Sequence, residues 1–221
     1  MTGADSPKTR SDYEAVIFDL DGTLIDSMRV WESVDEEFFA RRGLAVPADY
    51  FSAVGAMGLA ETASYTIERF SLPETPEDLA SEWLKMVRDE YACNMKLKPG
   101  VREYIKNLRD RKIKIGIATS SPLELCLAAL SGNGIADAFD AVCSVNEAGR
   151  GKEFPDVFIY AARKLGASPE RCLVFEDNLI AAKSAKSAGM TVCGVYDESS
   201  ARQWGEMRMI ADVVIMDFME A

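Results

Sequence analysis

The stretch from Val16 to Thr23 reads Val-Ile-Phe-Asp-Leu-Asp-Gly-Thr and places two carboxylates directly after a run of strand-favouring residues. Val, Ile and Phe favour a buried strand, and Gly22 permits a sharp turn after it. A strand that ends here puts Asp19 and Asp21 at the edge of a sheet. Two carboxylates this close repel each other unless a cation offsets their charge, and Mg²⁺ prefers oxygen ligands. The octet therefore predicts a Mg²⁺ site suited to phosphate chemistry, with a solvated acidic turn as the alternative.

The composition limits the kinds of partner that the chain can bind. It has 221 residues and a formal net charge of −11, which indicates a globular protein of one domain or of one domain with a large insertion. So acidic a chain disfavours nucleic acid and anionic membranes as partners. We expect a small phosphorylated metabolite as ligand, bound by a monomer or weak homodimer. Because the whole chain repels anions, any phosphate site must be locally positive.

Histidine is absent, and this narrows the chemistry further. Ser-His-Asp and Cys-His nucleophile systems are excluded as usually built, so acid–base catalysis falls to carboxylates or other groups. The cysteines are odd in number and no two have metal-ligand spacing, which favours buried, reduced thiols. With no signal-peptide pattern or apolar run of membrane-spanning length, we expect a cytoplasmic protein. The five cysteines are Cys93, Cys126, Cys143, Cys172 and Cys193.

The hydrophobic pattern changes twice along the chain. Residues 1–12 read as a flexible tail, 14–19 as a first strand, and 27–96 as an all-helical cap. Residues 13–26 and 97–221 then form the catalytic core, in which strands alternate with helices. This alternation predicts an α/β fold, a Rossmann-like parallel sheet covered on both faces. The later strands are expected at 113–118, 141–144, 171–175, 191–195 and 211–215.

Three further strand ends carry polar motifs, and the carboxyl ends of parallel strands form the ligand-binding edge of such sheets. Thr119 and Ser120 follow the second strand and offer an anion cradle, although they also suit a helix N-cap. Lys152 comes after the third strand and follows Gly149 and Gly151, which let the backbone approach a ligand. The alternative is a solvated lysine on the surface. Glu176 and Asp177 end the fourth strand, where an aspartate also suits an N-cap. Together with the first octet, the four motifs predict one site.

In this order, the four motifs resemble those of the haloacid dehalogenase-like superfamily, in the branch with a helical cap inserted after the first strand. The resemblance runs from about Tyr13 to Phe218 and implies a Rossmann-like core with that cap. Dehalogenating relatives typically lack the second aspartate, because a halide leaves without a proton. Asp21 therefore argues for phosphate substrates. The matching residues are Asp19 to Thr23, Thr119, Lys152 and Glu176-Asp177.

The resemblance also implies a role for each of these residues. Asp19 is the expected nucleophile and Asp21 the expected general acid and base. From the chemistry of proton transfer we also expect the carboxyl of Asp21 to lie off the metal, where burial raises its pKa. Mg²⁺ is expected to bind Asp19, the main-chain oxygen of Asp21, and Asp177, with Glu176 assisting. The phosphoryl oxygens are expected to contact Thr119, Ser120 and Lys152. Phosphoryl transfer needs this positioning and charge neutralisation.

The substrate and the reaction type are less sharply predicted. We favour a phosphomonoester hydrolase acting on a small metabolite such as a sugar phosphate. The alternatives are a β-phosphoglucomutase-like phosphotransferase and a catalytically silent module that binds a phosphorylated metabolite. Mutases commonly carry a basic residue where this chain has Ser121-Pro122, which argues against the mutase.

Features of the cap leave two readings open. The segment 54–58 is either a loop that faces the site or a turn between helices. Met28, Trp31 and Phe38 are expected in the cap core rather than against substrate. The arginines nearest to the site in sequence are candidates for substrate binding or are surface charges: Arg29, Arg41, Arg42 and Arg69.

Overall fold

The computed structural model describes residues 13–221, apart from five side chains in the helical insertion. Those side chains belong to Met28, Glu32, Asp89, Ala92 and Cys93. The predicted tail at residues 1–12 and the expectations for the side chains of Met28 and Cys93 therefore lie outside the described residues.

Six strands form one fully parallel sheet within residues 13–221. They are β1 (Ala15–Phe18), β2 (Lys114–Thr119), β3 (Ala141–Ser144), β4 (Cys172–Glu176), β5 (Thr191–Val195) and β6 (Val213–Ile215). Their order across the sheet is β3-β2-β1-β4-β5-β6. β1 therefore lies in the middle, where the strand order reverses, and its carboxyl end adjoins those of β2 and β4. This is the position at which open parallel sheets bind ligands.

The apolar run before Asp19 forms a central strand because both of its faces are covered. Successive side chains of a strand point to opposite faces. Val16 and Phe18 accordingly pack into one hydrophobic cluster, and Ala15 and Ile17 pack into the other. All four residues are at most 1% exposed. The continuous apolar run, rather than an alternating one, is the pattern expected of a strand buried on both faces.

Five helices separate β1 from β2, and the predicted helical insertion is confirmed. They are α1 (Met28–Arg41), α2 (Tyr50–Val54), α3 (Leu59–Phe70), α4 (Pro76–Cys93) and α5 (Val101–Asp110). The later helices are α6 (Leu123–Gly132), α7 (Val145–Ala148), α8 (Asp156–Leu165), α9 (Leu179–Ser187) and α10 (Trp204–Ile210). The sequence pattern did not predict the short helices α2, α7 and α10.

The two chain crossings between core and insertion run side by side. Ile25 and Leu97 form an antiparallel bridge. The amide of Asp26 donates to the carbonyl of Lys96 at 3.1 Å, and the amide of Lys98 donates to the carbonyl of Leu24 at 2.9 Å. These contacts coincide with the predicted boundaries of the cap at residues 27–96, which stay a prediction. The name cap is used below for residues 27–96.

The cap has an aromatic interior that is continuous with one side of the core. Phe38, Phe39, Tyr50 and Trp83 are at most 1% exposed and meet mostly edge to face. Phe38 therefore lies in the cap core, as expected. Aromatic pairs of this kind add about 0.5–1.5 kcal/mol each beyond the area that they bury.

The four described cysteines are buried free thiols, as predicted. Within residues 13–221, no helix is both long enough and apolar enough to cross a membrane.

Candidate active site

The carboxyl ends of β1 and β4 bring three acidic side chains into one buried cluster. Oxygen atoms of Asp19, Glu176 and Asp177 lie within 4.8 Å of one another. The three residues are 5%, 1% and 7% exposed. The backbone amide of Asp19 donates to the carbonyl of Phe175 at 2.9 Å, so that the parallel pairing of β1 with β4 sets this meeting. Residues more than 150 positions apart in the sequence thus form one site, and we call them the acidic cluster.

Lys152 is the cation that the acidic cluster contacts among the described residues. Its ammonium group donates to Asp19 Oδ1 and, at 2.8 Å, to Glu176 Oε2. The lysine is 2% exposed and follows the glycine-containing loop after α7. It is therefore a buried member of the site and not a solvated surface lysine. Glu176 also accepts a hydrogen bond from the amide of Asn178, which orients its carboxylate toward Lys152.

The turn after β1 fits closely around Asp177. Gly22 has a φ of +81°, a conformation that other L-residues rarely adopt. A Cβ atom at this position would lie 2.7 Å from Asp177 Oδ2. Thr23 then donates its hydroxyl proton to Asp177 Oδ1 at 2.9 Å. Gly22 and Thr23 of the first motif thus serve to place an aspartate of the fourth motif.

The proton affinities of the cluster show that its negative charge is only partly balanced. Burial, followed by the charge of Glu176, raises the pKa of Asp19 to about 6 in spite of Lys152. Burial and the charges of Glu176 and Asp19 raise the pKa of Asp177 well above its usual range. Burial alone would lower the pKa of Lys152, but the charges of Asp19 and Glu176 outweigh burial and raise that pKa. Lys152 pairs with two of the three carboxylates, and their charges outweigh its own.

This arrangement fits a hard divalent cation. Three carboxylate groups converge on one point, which is the donor chemistry that Mg²⁺ selects. Their mutual repulsion in a buried place favours any cation that enters between them, because buried like charges raise each other's pKa. The donor set contains neither nitrogen nor sulfur, so it is poorly suited to zinc. The acidic cluster therefore has the composition of a metal site.

Asp21 is half-buried beside the acidic cluster and is held by different partners. Its Oδ1 accepts hydrogen bonds from the hydroxyls of Ser27, at 2.6 Å, and of Tyr91. Its Oδ2 accepts one from the hydroxyl of Ser121 at 2.6 Å. Burial, followed by the charge of Asp19, raises the pKa of Asp21 against the effect of these hydrogen bonds. Asp21 is thus a carboxyl with raised proton affinity that lies outside the group of three possible metal ligands.

The motif after β2 lies at the same edge of the sheet. Thr119 is fully buried, and its Oγ1 accepts a hydrogen bond from the amide of Ser121 at 3.0 Å. Pro122, and not a serine or threonine, occupies the N-cap position of α6. The N-cap interpretation of Thr119 and Ser120 is therefore wrong. Their hydroxyl and amide groups lie at the end of a strand adjoining Asp19.

The segment 54–58 joins α2 to α3 and also touches the core. The carbonyl oxygen of Ala56 accepts hydrogen bonds from the amide of Lys152, at 2.9 Å, and from the hydroxyl of Ser120, at 3.3 Å. The segment is therefore both a turn between helices and a loop that faces the site, the two alternatives given for it above. In this arrangement the cap covers the edge that carries the acidic cluster.

The cap arginines form ion pairs away from the acidic cluster. Each of them has a carboxylate within 4.0 Å, and within residues 13–221 no ion pair joins a cap arginine to Asp19, Glu176 or Asp177. Arg42, for example, binds Glu74 at 2.7 Å and Glu82 at 2.8 Å. One partner of each cap arginine is given by Arg29–Glu198, Arg41–Glu37, Arg42–Glu74, Arg69–Asp49 and Arg88–Glu124.

Sequence reasoning missed the hydroxyl groups that surround Asp21. Ser27 is the first residue of the cap, and Tyr91 belongs to the stripe Leu79, Trp83, Val87 and Tyr91, whose spacing of four predicts a buried helix face. Tyr91 is indeed 1% exposed. The pattern does not reveal that its hydroxyl meets a core aspartate, because that contact depends on how the cap sits on the sheet. Trp31, expected in the cap core, also donates its indole N–H to Tyr91 Oη at 2.5 Å.

Known proteins are similar to this chain in sequence and in architecture. The model of the haloacid dehalogenase-like hydrolases matches residues 13–189. YhcW of Bacillus subtilis is 30% identical over 181 residues, which cover 80% of each chain. A phosphorylated carbohydrates phosphatase of Thermotoga maritima is 26% identical over 80% of this chain and 82% of its own. The structure of CbbY from Rhodobacter sphaeroides in complex with phosphate superposes with a TM-score of 0.83 at 23% identity, covering 94% of this chain and 96% of that one.

These matches agree with the strand-end site and the inserted cap. The family model spans β1 to the end of α9 and includes all four motifs. The structural likeness extends over nearly the whole chain. The chain therefore belongs to the haloacid dehalogenase-like hydrolase family.

Proposed function

We propose that this phosphatase is a Mg²⁺-dependent phosphomonoester hydrolase that acts on a small phosphorylated metabolite of the sugar-phosphate class through an aspartyl-phosphate intermediate. The observation that carries the proposal is the buried cluster of Asp19, Glu176 and Asp177 with Lys152 bound to it. A carboxylate nucleophile, a cation site and a fixed positive charge are the parts that phosphoryl transfer requires.

The residues that would hold Mg²⁺ are Asp19 and Asp177 through their carboxylates and Asp21 through its main-chain oxygen, with Glu176 assisting. When bound, the cation neutralises phosphate charge and lets an anionic carboxylate approach an anionic ester. Glu176 has a second part to play, because its carboxylate holds Lys152 at 2.8 Å. We therefore assign Glu176 mainly to the placement of Lys152 next to Asp19.

Asp19 is the proposed nucleophile. Its carboxylate oxygen forms a bond to phosphorus while the bond from phosphorus to the ester oxygen breaks. Asp21 gives its proton to the leaving oxygen, and the alcohol departs. Asp21 then takes a proton from the water that attacks the phosphorus, which restores Asp19 and releases phosphate. A raised proton affinity suits a group that must hold a proton before the first step.

Thr119, Ser120 and Lys152 are the proposed ligands of the phosphoryl oxygens. Thr119 is buried at a strand end that adjoins Asp19 through the β1–β2 pairing. Lys152 carries a fixed positive charge directly beside Asp19. Backbone and hydroxyl donors at such strand ends bind anions because their dipoles are already oriented.

The charges of the cap support a substrate with one phosphate group. A mutase must hold a second phosphate on a second positive site. The cap arginines pair instead with carboxylates. The position after Ser121 holds a proline, and Ser121 itself binds Asp21. These observations favour hydrolysis over the transfer of phosphate within a bisphosphate.

The test is to incubate the purified protein with p-nitrophenyl phosphate and a panel of sugar phosphates, in Mg²⁺ and in EDTA. We expect phosphate release that requires Mg²⁺, and a higher Mg²⁺ requirement in Asp177→Asn but not in Asp212→Asn, whose carboxyl pairs with Lys186 on the surface. Equal turnover in EDTA would overturn the metal dependence. Interconversion of glucose 1- and 6-phosphates primed by a bisphosphate would establish the mutase. Tight binding without turnover would establish the silent binding module.

A further inference from the structure

Among the described residues, the partners of the Asp21 carboxyl are three neutral hydroxyl groups, and two of the three come from the cap. Ser27 begins the cap, and Tyr91 lies in the last turn of α4; both donate to Oδ1. Ser121, which donates to Oδ2, follows β2 in the core. The carboxyl that must move a proton is thus shared between core and cap, whereas Asp19 is bound by Lys152 of the core.

The direction of the Tyr91 hydroxyl is determined by its second partner. The indole N–H of Trp31 lies 2.5 Å from Tyr91 Oη, and an indole nitrogen can only donate. Tyr91 Oη must therefore accept from Trp31, and its single proton is directed at Asp21. The two rings meet edge to face, with centroids 6.0 Å apart. Helices α1 and α4 of the cap thus combine to aim one proton at one carboxylate oxygen.

We propose that Tyr91 is a positioning residue that holds the carboxyl of Asp21 in the orientation needed for proton transfer, and that Trp31 orients Tyr91 for this purpose. The inference rests on the role proposed for Asp21 above. A proton donor misplaced by about 1 Å can lose about 100-fold in rate. Asp21 lies beyond the end of β1 and next to Gly22, so strand pairing alone does not restrain its side chain.

The contact between Tyr91 and Asp21 makes proton transfer depend on the position of the cap. Tyr91 reaches Asp21 in the same arrangement in which Ala56 accepts hydrogen bonds from Lys152 and Ser120. A cap that moves away from the core takes the Tyr91 hydroxyl with it and leaves Asp21 with Ser121 as its core donor. Proton transfer is then efficient only when the cap covers the substrate and excludes water.

The first experiment compares Tyr91→Phe with wild type on aryl phosphates whose leaving groups differ in basicity, from p-nitrophenyl phosphate to phenyl phosphate. The ratio kcat/KM reports steps up to the departure of the alcohol. We expect a loss of about 10-fold or more on phenyl phosphate, whose leaving group needs a proton. On p-nitrophenyl phosphate, whose leaving group is stable as an anion, we expect a loss of at most about twofold. Trp31→Phe should give the same pattern with a smaller effect.

Tyr50→Phe is the matched control. Tyr50 is also a fully buried cap tyrosine, and its hydroxyl lies 2.7 Å from Thr66 Oγ1. This variant loses a buried hydroxyl of the same domain, so we expect wild-type dependence on the leaving group. A loss that is equal for all leaving groups in Tyr91→Phe, or the same pattern in Tyr50→Phe, would overturn the positioning role.

A second measurement does not depend on turnover. The indole N–H of Trp31 can be assigned in the NMR spectrum by its absence in Trp31→Phe. Both Tyr91→Phe and Asp21→Asn should shift this resonance, the second through Tyr91, whereas Tyr50→Phe should leave it in place. An unmoved resonance in Asp21→Asn would overturn the link between cap and acid. A wild-type protein that hydrolyses none of the esters but shows these shifts would refute the proposed function and retain the link.

Discussion

Asp19 and Asp21 are two residues apart in the sequence, yet their carboxylates bind different kinds of partner. The core places a buried ammonium group, Lys152, directly on Asp19. At Asp21 the cap contributes hydroxyl groups and no charge, through Ser27 and Tyr91. The cap's own arginines are paired with carboxylates elsewhere.

The difference indicates a division of labour. In the proposed mechanism, charge neutralisation comes from groups at the edge of the sheet. The group that moves the proton is held partly by the cap. A charged cap group would attract the cap to the site regardless of substrate, whereas neutral donors contribute only at short range and in the right direction.

The largest effect is expected at the nucleophile. Asp19→Asn should lower kcat by at least about 10³-fold, because the amide cannot form the aspartyl phosphate. Phosphate release with p-nitrophenyl phosphate and Mg²⁺ is the measurement, and circular dichroism checks the fold. Asp35→Asn replaces another buried aspartate and should keep its turnover. Near-normal rates in Asp19→Asn would remove Asp19 from the mechanism.

The next effect concerns the core cation. Lys152→Met should lower kcat/KM by about 10²-fold or more, and should cost about 3–5 kcal/mol in the free energy of unfolding because Asp19 and Glu176 lose their buried partner. Urea unfolding and steady-state kinetics measure the two losses.

Lys98→Met is the control for that experiment. Lys98 is also buried, with its side chain 10% exposed, but it pairs with Asp197 at 2.8 Å. This variant should lose stability and keep most of its activity. If both lysine variants lost activity equally, the special role of Lys152 would be refuted.

The third prediction concerns Asp35, a buried cap carboxyl whose charge makes stability depend on pH. Asp35 in α1 is 8% exposed, and no hydrogen bond or ion pair of its carboxyl is found within the described residues. Burial raises its pKa to about 7. Between its unfolded pKa of about 4 and its folded pKa, the unfolded chain releases a proton that the folded chain keeps. The stability of the fold therefore falls as pH rises through this window and stays low above it.

Asp35→Asn removes this penalty. At pH 8 its free energy of unfolding should exceed that of wild type by about 2–4 kcal/mol, and the difference should shrink toward zero near pH 4. Urea unfolding at several pH values measures it. Glu36→Gln changes an exposed acid on the same helix and should show no such dependence. A gain that is independent of pH would contradict the explanation.

The smallest effect is expected for the cap arginines. Arg42 pairs with Glu74 and Glu82, and its guanidinium carbon lies 3.9 Å from the centroid of the Phe38 ring. Arg42→Ala should cost about 1 kcal/mol in stability and leave kcat/KM within about twofold of wild type. The neighbouring Arg41→Ala, whose side chain is 52% exposed, should cost less. A tenfold rise in KM for Arg42→Ala would instead identify it as a substrate ligand.

The strands of the core could be predicted from the sequence because each corresponds to a short local run of apolar residues. The strand at 141–144 and the strand at 191–195 were predicted with the observed bounds, and the others within two residues. The strands β1 and β4 are short apolar runs buried along their whole length, and each leads directly into an acidic motif. Parallel topology then dictates that Asp19, Lys152 and Asp177 share one edge, so the acidic cluster could be anticipated.

The cap and its contacts could not be predicted in the same way. The short helices α2 and α7, of five and four residues, carry too little periodicity to be recognised. Tyr91 and Trp31 follow a helical apolar pattern that predicts core packing, and both do pack there. The hydrogen bonds that link Trp31 and Tyr91 to Asp21 depend on how the cap lies on the core. The local sequence pattern carries no information about that placement.

The most direct test of the proposed mechanism is whether Asp19 becomes phosphorylated during turnover. The protein, turning over p-nitrophenyl phosphate with Mg²⁺, would be quenched and treated with borohydride, which reduces an acyl phosphate to an alcohol. Peptide mass spectrometry would then locate the reduced residue. We expect reduction at Asp19 that is absent without substrate or without Mg²⁺. Reduction at another residue, or phosphate release with no reduced residue at any time point, would contradict the account.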